Sequence, residues 1–312
     1  MIVIKINDKK EQIKETLKNN NIITIDGEIV KIHDDIIEKL SKEIISKEAE
    51  QNAKDNIKIE NYKKYIKEKS IFQQAIYEKL GSFYFNFYNS IPCKLDRQYK
   101  FRFLFLCTYL KYGDDRLQHK QESNLYKIFN EGDLMELLKL SKREYDRTKK
   151  ELLNNNLILI DKDSHVHINN NISTVGAISK YNQRDYTRVF KDTIRELYNK
   201  SEPRQHKQLG LFIDLLPYIH FKFNIICKNP TCELMEDIQP LTPKELAEDL
   251  KLYTGKNVSS FKRKLLSIHI GDKEGMLFVE RFNKKFFVVN PLIYYKGTKI
   301  EDLNYLIELF KI

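Results

Sequence analysis

The sequence predicts a mainly helical α+β protein in which short helices are followed by small β-hairpins. Three observations support this fold class. Apolar residues recur at helical spacing through much of the 312-residue chain. Residues 141–144 (Ser-Lys-Arg-Glu) and 242–245 (Thr-Pro-Lys-Glu) have the pattern of a capping box and therefore mark helix starts. Alternating apolar residues around polar turns, at 157–168 and 276–289, indicate hairpins.

Residues 1–95 are predicted to form an N-terminal α/β extension. Short β-segments are expected at 2–6 and 22–32, and helices at 9–19, 34–53 and 71–80. Residues 46–69 mix both signs of charge, which indicates a solvated helix face or a flexible linker. The aromatic run 83–88 must be buried, either as a strand or as a helix. We expect this extension to serve oligomerisation, with a homodimer as the default.

Residues 96–175 are predicted to form a first winged helix-turn-helix domain. The order of elements is two apolar helices, a capped helix and a hairpin, which is the order of a winged helix. The expected helices are 101–112, 131–140 and 142–155, and the expected strands are 157–160 and 165–168. The capping box at 141–144 predicts that the Ser141 side chain accepts from the backbone N–H of Glu144.

Residues 185–300 repeat this order and are predicted to form a second winged helix-turn-helix domain. The two copies are too different in sequence to be recognised as a repeat. Residues 301–312 are predicted to form a C-terminal helix. The second domain is expected to contain helices at 188–200, 207–220, 243–250 and 258–267, a strand at 221–227, and wing strands at 276–282 and 286–289 joined by 283–285.

Positive charge is concentrated in the second domain. Residues 251–299 contain 11 basic and 3 acidic residues, a net charge of +8, while the whole chain carries +10. Residues 96–175 contain 14 basic and 12 acidic residues, a net charge of only +2. Such a local surplus predicts a polyanionic partner, and a helix-turn-helix is suited to double-stranded DNA. The second domain is therefore the expected principal DNA reader.

The helix 258–267 is predicted to enter the major groove. Its apolar residues Val258, Phe261 and Leu265 form one stripe, so the opposite face is free for DNA. Arg263 can donate two hydrogen bonds to guanine, whereas the basic wing residues are expected to hold phosphates. The DNA-binding residues predicted in this domain are Lys256, Asn257, Ser259, Ser260, Lys262, Arg263, Lys264, Arg281, Asn283, Lys284 and Lys285.

The first domain offers a weaker version of the same face. Its third helix turns Arg143, Arg147 and Lys150 outward, and these three residues are also predicted DNA contacts. Asp146 shares their surface, and the turn 162–164 is not basic. DNA contact and a role in dimerisation or packing therefore both stay open for this domain.

Other function classes find little support in the sequence. No apolar run has the roughly 20 residues of a membrane span, and the N-terminus lacks the pattern of a signal peptide, so we expect a cytoplasmic protein. Cys227 and Cys232 are interpreted as structural cysteines flanking a turn, because His220 is the only further ligand candidate nearby. His165 and His167 alone make no metal site. We expect no catalytic site, no metal and no cofactor, since no nucleophile–base pattern, no phosphate-binding loop and no two-metal carboxylate cluster is present.

The last two-thirds of the chain resembles tandem winged-helix proteins of Gram-positive phages and plasmids. These include phage transcription regulators and two-winged-helix plasmid replication initiators. The segments that carry the resemblance are 102–112, 137–153, 241–266 and especially 286–297, in which a wing strand runs into Asn-Pro and an aromatic-Lys-Gly ending. The resemblance implies DNA binding without a catalytic site, and it does not separate transcription from replication.

Three functions therefore remain open at this stage. The first is a sequence-specific regulator of transcription that binds double-stranded DNA. The second is a plasmid or phage replication initiator that binds origin repeats. The third is an interaction adaptor whose winged helices pack on the replication or transcription machinery without touching DNA.

Overall fold

The computed structural model describes residues 11–15, 22–23, 29–30, 34–121, 125–176, 186–252, 258–281 and 284–312. They form helices and small antiparallel sheets, so the predicted α+β class is confirmed. The chain divides into two compact units, Met1–Ile71 and Phe72–Ile312. Both predicted winged-helix regions lie in the second unit. Residues 2–6, predicted as a strand, lie outside the described residues.

The first unit has few elements. Residues 11–15 are helical, and β1 (Ile22–Ile23) pairs antiparallel with β2 (Ile29–Val30). Helix α1 (Asp34–Leu80) is one continuous helix of 47 residues that ends in the second unit. The charged stretch 46–69 is therefore an exposed helix face, and the alternative of a flexible linker is wrong. Ion pairs one turn apart, such as Lys54 Nζ to Glu50 Oε1 at 2.7 Å, support this exposed helix.

In the second unit, residues 83–174 form a segment that we call copy 1. A short extended stretch at Leu117 bonds to a later strand, because the N–H of Leu117 donates to the carbonyl of Val166 at 2.9 Å. The elements are β3 (Phe83–Asn86), α2 (Arg97–Cys107), β4 (Gln118–Lys120), β5 (Tyr126–Ile128), α3 (Asp133–Leu138), α4 (Lys142–Asn154), β6 (Ile158–Ile160), β7 (Val166–Ile168) and β8 (Ser173–Thr174).

Residues 187–295, which we call copy 2, follow the same plan. An extended stretch again pairs with the returning hairpin strand, because the N–H of Ile226 donates to the carbonyl of Phe287 at 2.9 Å. The elements are β9 (Thr187–Phe190), α5 (Lys191–Lys200), α6 (His206–Leu209), α7 (Leu211–Leu215), α8 (Pro243–Asp249), α9 (Val258–Leu266), β10 (His269–Ile270), β11 (Lys273–Glu274), β12 (Met276–Arg281), β13 (Lys284–Val289) and β14 (Tyr294–Tyr295). Helix α10 (Ile300–Phe310) follows.

A four-stranded antiparallel sheet joins the two copies. Its strand order is β14-β9-β3-β8. Each copy contributes two strands to this sheet. The first strand of each copy, β3 or β9, is central in the sheet, and the last strand, β8 or β14, lies at its edge. The central strands pair with each other, with Tyr84 opposite Val189 and Phe85 opposite Arg188. Because equivalent strands run antiparallel across the centre, an approximate two-fold rotation relates copy 1 to copy 2.

The two copies also make equivalent hydrogen bonds where their hairpins end. Asn169 follows β7, and Asn290 follows β13. Each Oδ1 accepts from the backbone N–H two residues further on, at 3.0 and 2.9 Å. Each Nδ2 donates to a carbonyl just before the hairpin, that of Asn156 or Glu274, at 2.8 Å in both cases. The two copies therefore share hydrogen bonds that the predicted order of elements did not include.

Strand β13 separates two hydrophobic clusters. Phe287 and Val289 belong to the larger cluster, which extends through both copies. Phe286 and Val288 belong to a smaller cluster that also contains α10 residues. Both faces of the strand are buried over residues 286–289, so this part of its sequence is continuously apolar and shows no alternation.

Several predicted elements differ in the structure. The helix expected at 188–200 begins at Lys191, because Arg188 lies in β9. Strand β13 begins earlier than expected, so Lys284 and Lys285 lie in β13 rather than in the turn. The strand expected at 221–227 is reduced to isolated bridges at Ile225, Ile226 and Cys227.

The helix expected at 207–220 is interrupted at Gly210, where α6 ends and α7 follows. Here the chain runs directly against α2. A side-chain carbon built on Gly210 would lie 2.1 Å from the carbonyl oxygen of Arg97, so any larger residue would force the two segments apart.

A buried polar network connects α2, α4 and α6. The Arg102 side chain is only 1% exposed, and its Nη1 donates to Glu144 Oε1 and Thr148 Oγ1, both at 2.7 Å. Its Nε donates to His206 Nδ1 at 3.1 Å. The ion pair between Arg102 and Glu144 takes the place of the capping interaction that the sequence predicts at the start of α4. Ser141 makes no side-chain cap, so the predicted capping box at 141–144 is wrong, because Glu144 is directed at the guanidinium instead.

His206 makes the stability of this unit depend on pH. Burial, and then the Arg102 charge, lower the pKa of His206 from 6.5 to about 3. The unfolded chain therefore binds a proton that the folded chain does not, and stability is lost as the pH falls from 6.5 towards 3. Between pH 7 and pH 5 the expected loss from this group is about 2 kcal/mol.

The measurement is urea unfolding followed by circular dichroism at both pH values. In a His206→Gln variant, which cannot titrate, the difference between the two pH values should shrink by that amount. An equal pH dependence in both proteins would contradict the assignment.

Candidate nucleic-acid interface

The candidate interface comprises residues of α8 and α9 in copy 2. Helix α8 begins as predicted, since Thr242 Oγ1 accepts from the Glu245 N–H at 3.3 Å and Glu245 Oε2 accepts from the Thr242 N–H at 2.9 Å. Lys228 and Thr242 hold the pKa of Glu245 at about 2, so its carboxylate remains charged at neutral pH. The capping box fixes the start of α8, the helix that precedes α9.

Helix α9 has the orientation that the sequence predicts. Phe261 and Leu265 are buried, and Val258 is half-buried. Ser259 and Arg263 are exposed on the other side of the helix. A short side chain and an arginine thus lie together on a face that no part of the described chain covers.

The cations of α9 and of the hairpin β12–β13 differ in whether they contact other side chains of the protein. Lys262 Nζ lies 3.5 Å from the ring centroid of Phe278, so this side chain packs on the hairpin. Lys285 Nζ lies 3.2 Å from Glu280 Oε2 across the two strands. Arg263, Lys264 and Lys284 are exposed and form no ion pair with another described residue. These three charges are therefore available to a partner.

The other predicted residues of copy 2 are only partly described. Lys256, Asn257 and Asn283 lie outside the described residues. Arg281 is the last residue of β12, and its backbone pairs in register with Lys284, while its side chain is not described. Ser260 is half-buried, so it is less accessible than Ser259.

Two basic residues beside α9 were missed by the sequence reasoning. Ser260 and Lys264 line a concave surface of about 420 Å³ together with Arg204 and Lys207. Arg204 and Lys207 come from the turn before α6 and from α6 itself, some 60 positions earlier in the chain. No pattern within 251–299 could have revealed them, because only the folded chain brings them next to α9.

Copy 1 presents the equivalent face on α4. Arg143, Arg147 and Lys150 are exposed, as predicted, and none forms an ion pair with another described residue. Asp146 on the same surface is paired with Lys142 at 3.0 Å. The following hairpin differs from the basic hairpin of copy 2, because its exposed turn carries Asp161 and Asp163.

The cysteine pair does not form a site. Cys227 is buried, and burial raises the pKa of its thiol to about 12. Cys232 Sγ lies 3.5 Å from His220 Nε2, but no further ligand completes a group there. Within the described part of the chain, the only cluster of three side chains with metal-ligand atoms in mutual reach is Asp161, Asp163 and His165.

Comparisons with known proteins add no relative. No protein-family model, no curated protein and no solved structure matches this chain. Among the described residues, no helix combines the length and apolar character needed to cross a membrane. The functional conclusion therefore depends on the geometry of the two copies.

Proposed function

We propose that this protein binds double-stranded DNA site-specifically through two winged-helix copies, as a transcription regulator does. The observation that carries the proposal is the exposed face of α9, where Ser259 and Arg263 lie together with the cation Lys264, which forms no ion pair with a described residue. These side chains contribute nothing to the two hydrophobic clusters. Their arrangement matches a helix that reads base edges, flanked by charges that hold the phosphate backbone.

The order of elements in each copy supports the winged-helix assignment. In copy 2, helices α8 and α9 are followed by the short strand pair β10–β11 and then by the hairpin β12–β13, whose second strand pairs with the extended stretch at Ile226. In copy 1, α3, α4 and the hairpin β6–β7 repeat this plan. In a winged helix the second helix of the pair enters the major groove, which assigns that role to α9 and α4.

The approximate two-fold rotation between the copies sets the form of the DNA site. Helices related in this way approach DNA with opposite polarity, so one chain would recognise two half-sites in inverted orientation. The half-sites would differ in sequence, because α4 and α9 carry different residues. Copy 2 would contribute most of the affinity, since the acidic hairpin turn of copy 1 repels phosphates.

Salt dependence of binding to a labelled duplex tests the proposal. If the six unpaired cations of α9, α4 and Lys284 each contact a phosphate, log Kd should rise with log salt with a slope of about 5. Arg263→Ala should reduce the preference for a selected site, whereas Lys284→Ala should weaken all sequences alike and lower the slope by about 1. Lys79→Ala removes the same charge from an exposed position on α1 and serves as the control.

The adaptor function is the alternative outcome of this test. Absence of binding at low salt, or binding that neither substitution changes, would refute DNA recognition by this face. If the protein does bind DNA, a second experiment separates replication initiation from transcription regulation. A replicon that carries the origin and replicates only when the protein is supplied in trans would indicate initiation.

A further inference from the structure

The concave surface beside α9 is lined by side chains of one sign of charge. We call it the basic recess; its volume is about 420 Å³, and its polar lining includes Arg97, Arg204, Lys207, Ser260 and Lys264. Among the described residues that line it, four are cationic and none is acidic. A cleft lined by one sign of charge concentrates the electrostatic field, so the basic recess attracts anions more strongly than a flat surface with the same charges does.

The start of α2 contributes largely buried charge to the basic recess. Arg97 Nε donates to Asp214 Oδ2 at 2.5 Å, and Lys100 Nζ donates to the other oxygen of the same carboxylate at 2.7 Å. The Arg97 side chain is 19% exposed, and that of Lys100 is 7% exposed. Two cations thus share one carboxylate, and neither forms a second ion pair with a described residue. Excess charge in such a surrounding is unfavourable, so an anion bound in the basic recess would be stabilised by it.

Hydrogen bonds of the protein itself join the walls of the basic recess. Gln208 Nε2 donates to the carbonyl of Lys264 at 2.8 Å and to Ser267 Oγ at 3.1 Å, which connects α6 to the end of α9. Arg97 Nη2 donates to the carbonyl of Leu250, just after α8, at 3.4 Å. Because these contacts fix the elements relative to one another, little conformational freedom is lost when a ligand binds.

The donors around the basic recess are accessible to a ligand. Lys207 and Lys264 are exposed, and neither forms an ion pair with another described residue. Arg204 pairs with Glu202 at 2.6 Å, but both side chains are exposed, and ion pairs of this kind contribute little energy. Ser260 lies in the first turn of α9, where the backbone N–H groups have no partner within the helix and favour an anion.

We propose that the basic recess binds a phosphate group, supplied by the DNA backbone beside the groove that α9 enters. Arg204 and Lys207 would contact the phosphate from the side of α6, and Ser260 and Lys264 from the side of α9. Guanidinium, ammonium and hydroxyl donors that approach from separate elements match the several acceptor oxygens of a phosphate. The DNA source rests on the proposed function, and it extends the interface from α9 onto α6.

Anisotropy titrations of the full chain with a labelled duplex test this source. Arg204→Ala/Lys207→Ala should raise the Kd by about 10–100-fold and lower the salt slope by about 2, because two phosphate contacts are lost. Lys207→Arg retains the charge and should bind as the unmodified chain does. The control Lys64→Ala/Lys79→Ala removes the same net charge from exposed positions on α1 and should change the Kd and the slope far less.

Replacing single phosphates of the duplex by uncharged methylphosphonates identifies the contact. At the phosphate that lies in the basic recess, the replacement should weaken binding of the unmodified chain. It should weaken binding of Lys207→Ala much less, because that variant has already lost the contact. Positions contacted by Lys284 should remain sensitive in the same variant, so a general loss of affinity is distinguished from loss of one contact.

Calorimetric titration with pyrophosphate tests the basic recess without DNA. Pyrophosphate should bind to the unmodified chain, and Arg204→Ala/Lys207→Ala should lose this binding while its circular dichroism spectrum is unchanged. If pyrophosphate binds in this way and the chain binds no duplex, the proposed function and the DNA source are both wrong, and the basic recess takes a free phosphate compound.

Two results would overturn the proposal. Affinities for duplex and for pyrophosphate that the Arg204→Ala/Lys207→Ala variant leaves unchanged would show that the basic recess binds no phosphate. If Arg263→Ala and Lys284→Ala weaken duplex binding in that case, DNA recognition by copy 2 stands, and only the assignment of the basic recess fails. An equal loss in the Lys64→Ala/Lys79→Ala control would reduce the effect to net charge.

Discussion

Replacing Glu144 by Ala is expected to lower the free energy of unfolding by about 3–5 kcal/mol. The substitution leaves the Arg102 guanidinium, 1% exposed, with only the neutral partners Thr148 and His206. A buried charge without a counter-charge is among the most destabilising changes in a protein interior. Because the network connects α2, α4 and α6, the loss should appear in cooperative unfolding of the whole second unit. Urea unfolding followed by circular dichroism measures it.

Two further variants distinguish the loss of the ion pair with Arg102 from the general effect of replacing a helical glutamate by alanine. Glu144→Gln retains an oxygen that can accept from Arg102, so its loss should be clearly smaller than that of the Ala variant. Glu136→Ala removes an exposed carboxylate from α3 and should change stability by no more than about 0.5 kcal/mol. Equal losses in the Gln and Ala variants of Glu144 would show that the ion pair does not contribute as described.

The second large effect is expected on DNA affinity. The triple variant Arg263→Ala/Lys264→Ala/Lys284→Ala removes three exposed cations of copy 2, two on α9 and one on β13. At about 1–1.4 kcal/mol for each contact, the Kd for duplex DNA should rise by about 10²–10³-fold, and the salt slope should fall by about 3. These side chains are exposed and make no ion pairs with described residues, so the fold should be unaffected. Anisotropy titrations at several salt concentrations measure both quantities.

A matched triple variant on α1, Lys63→Ala/Lys64→Ala/Lys79→Ala, removes the same net charge from exposed positions. If general electrostatic attraction caused binding, both triple variants would weaken it equally. The corresponding change on copy 1, Arg143→Ala/Arg147→Ala/Lys150→Ala, should have a smaller effect than the copy 2 variant. A larger effect on copy 1 would reverse the assignment of the principal reader.

The features that the sequence predicted correctly are local ones. The capping box of Thr242 and Glu245 lies within four residues, and both of its hydrogen bonds form. The apolar stripe of 258–267 has helical spacing, so the buried side of α9 follows from its own residues. The exposed positions of Arg263 and Lys264 follow in turn. Local structure that depends only on neighbouring residues can therefore be predicted from the sequence pattern.

The remaining features depend on residues that are far apart in the sequence. Glu144 has the spacing of a capping residue, yet a buried guanidinium 42 positions earlier attracts it more strongly than the backbone at Ser141 does. Lys284 and Lys285 extend β13 because the strand register continues past the apolar residues. Arg204 and Lys207 reach α9 only through the packing of α6.

The sequence by itself therefore determined the fold class, the helix starts at Thr242 and the location of the excess charge. Tertiary structure decided that the two copies form a pseudo-symmetric pair, because strands about 100 residues apart meet in one sheet at Tyr84 and Val189. It also decided that Asn169 and Asn290 make equivalent hydrogen bonds, because the carbonyl groups that accept from their side chains lie on other strands or turns. Long-range hydrogen bonds and burial leave no periodic trace in a sequence, so only the folded chain shows them.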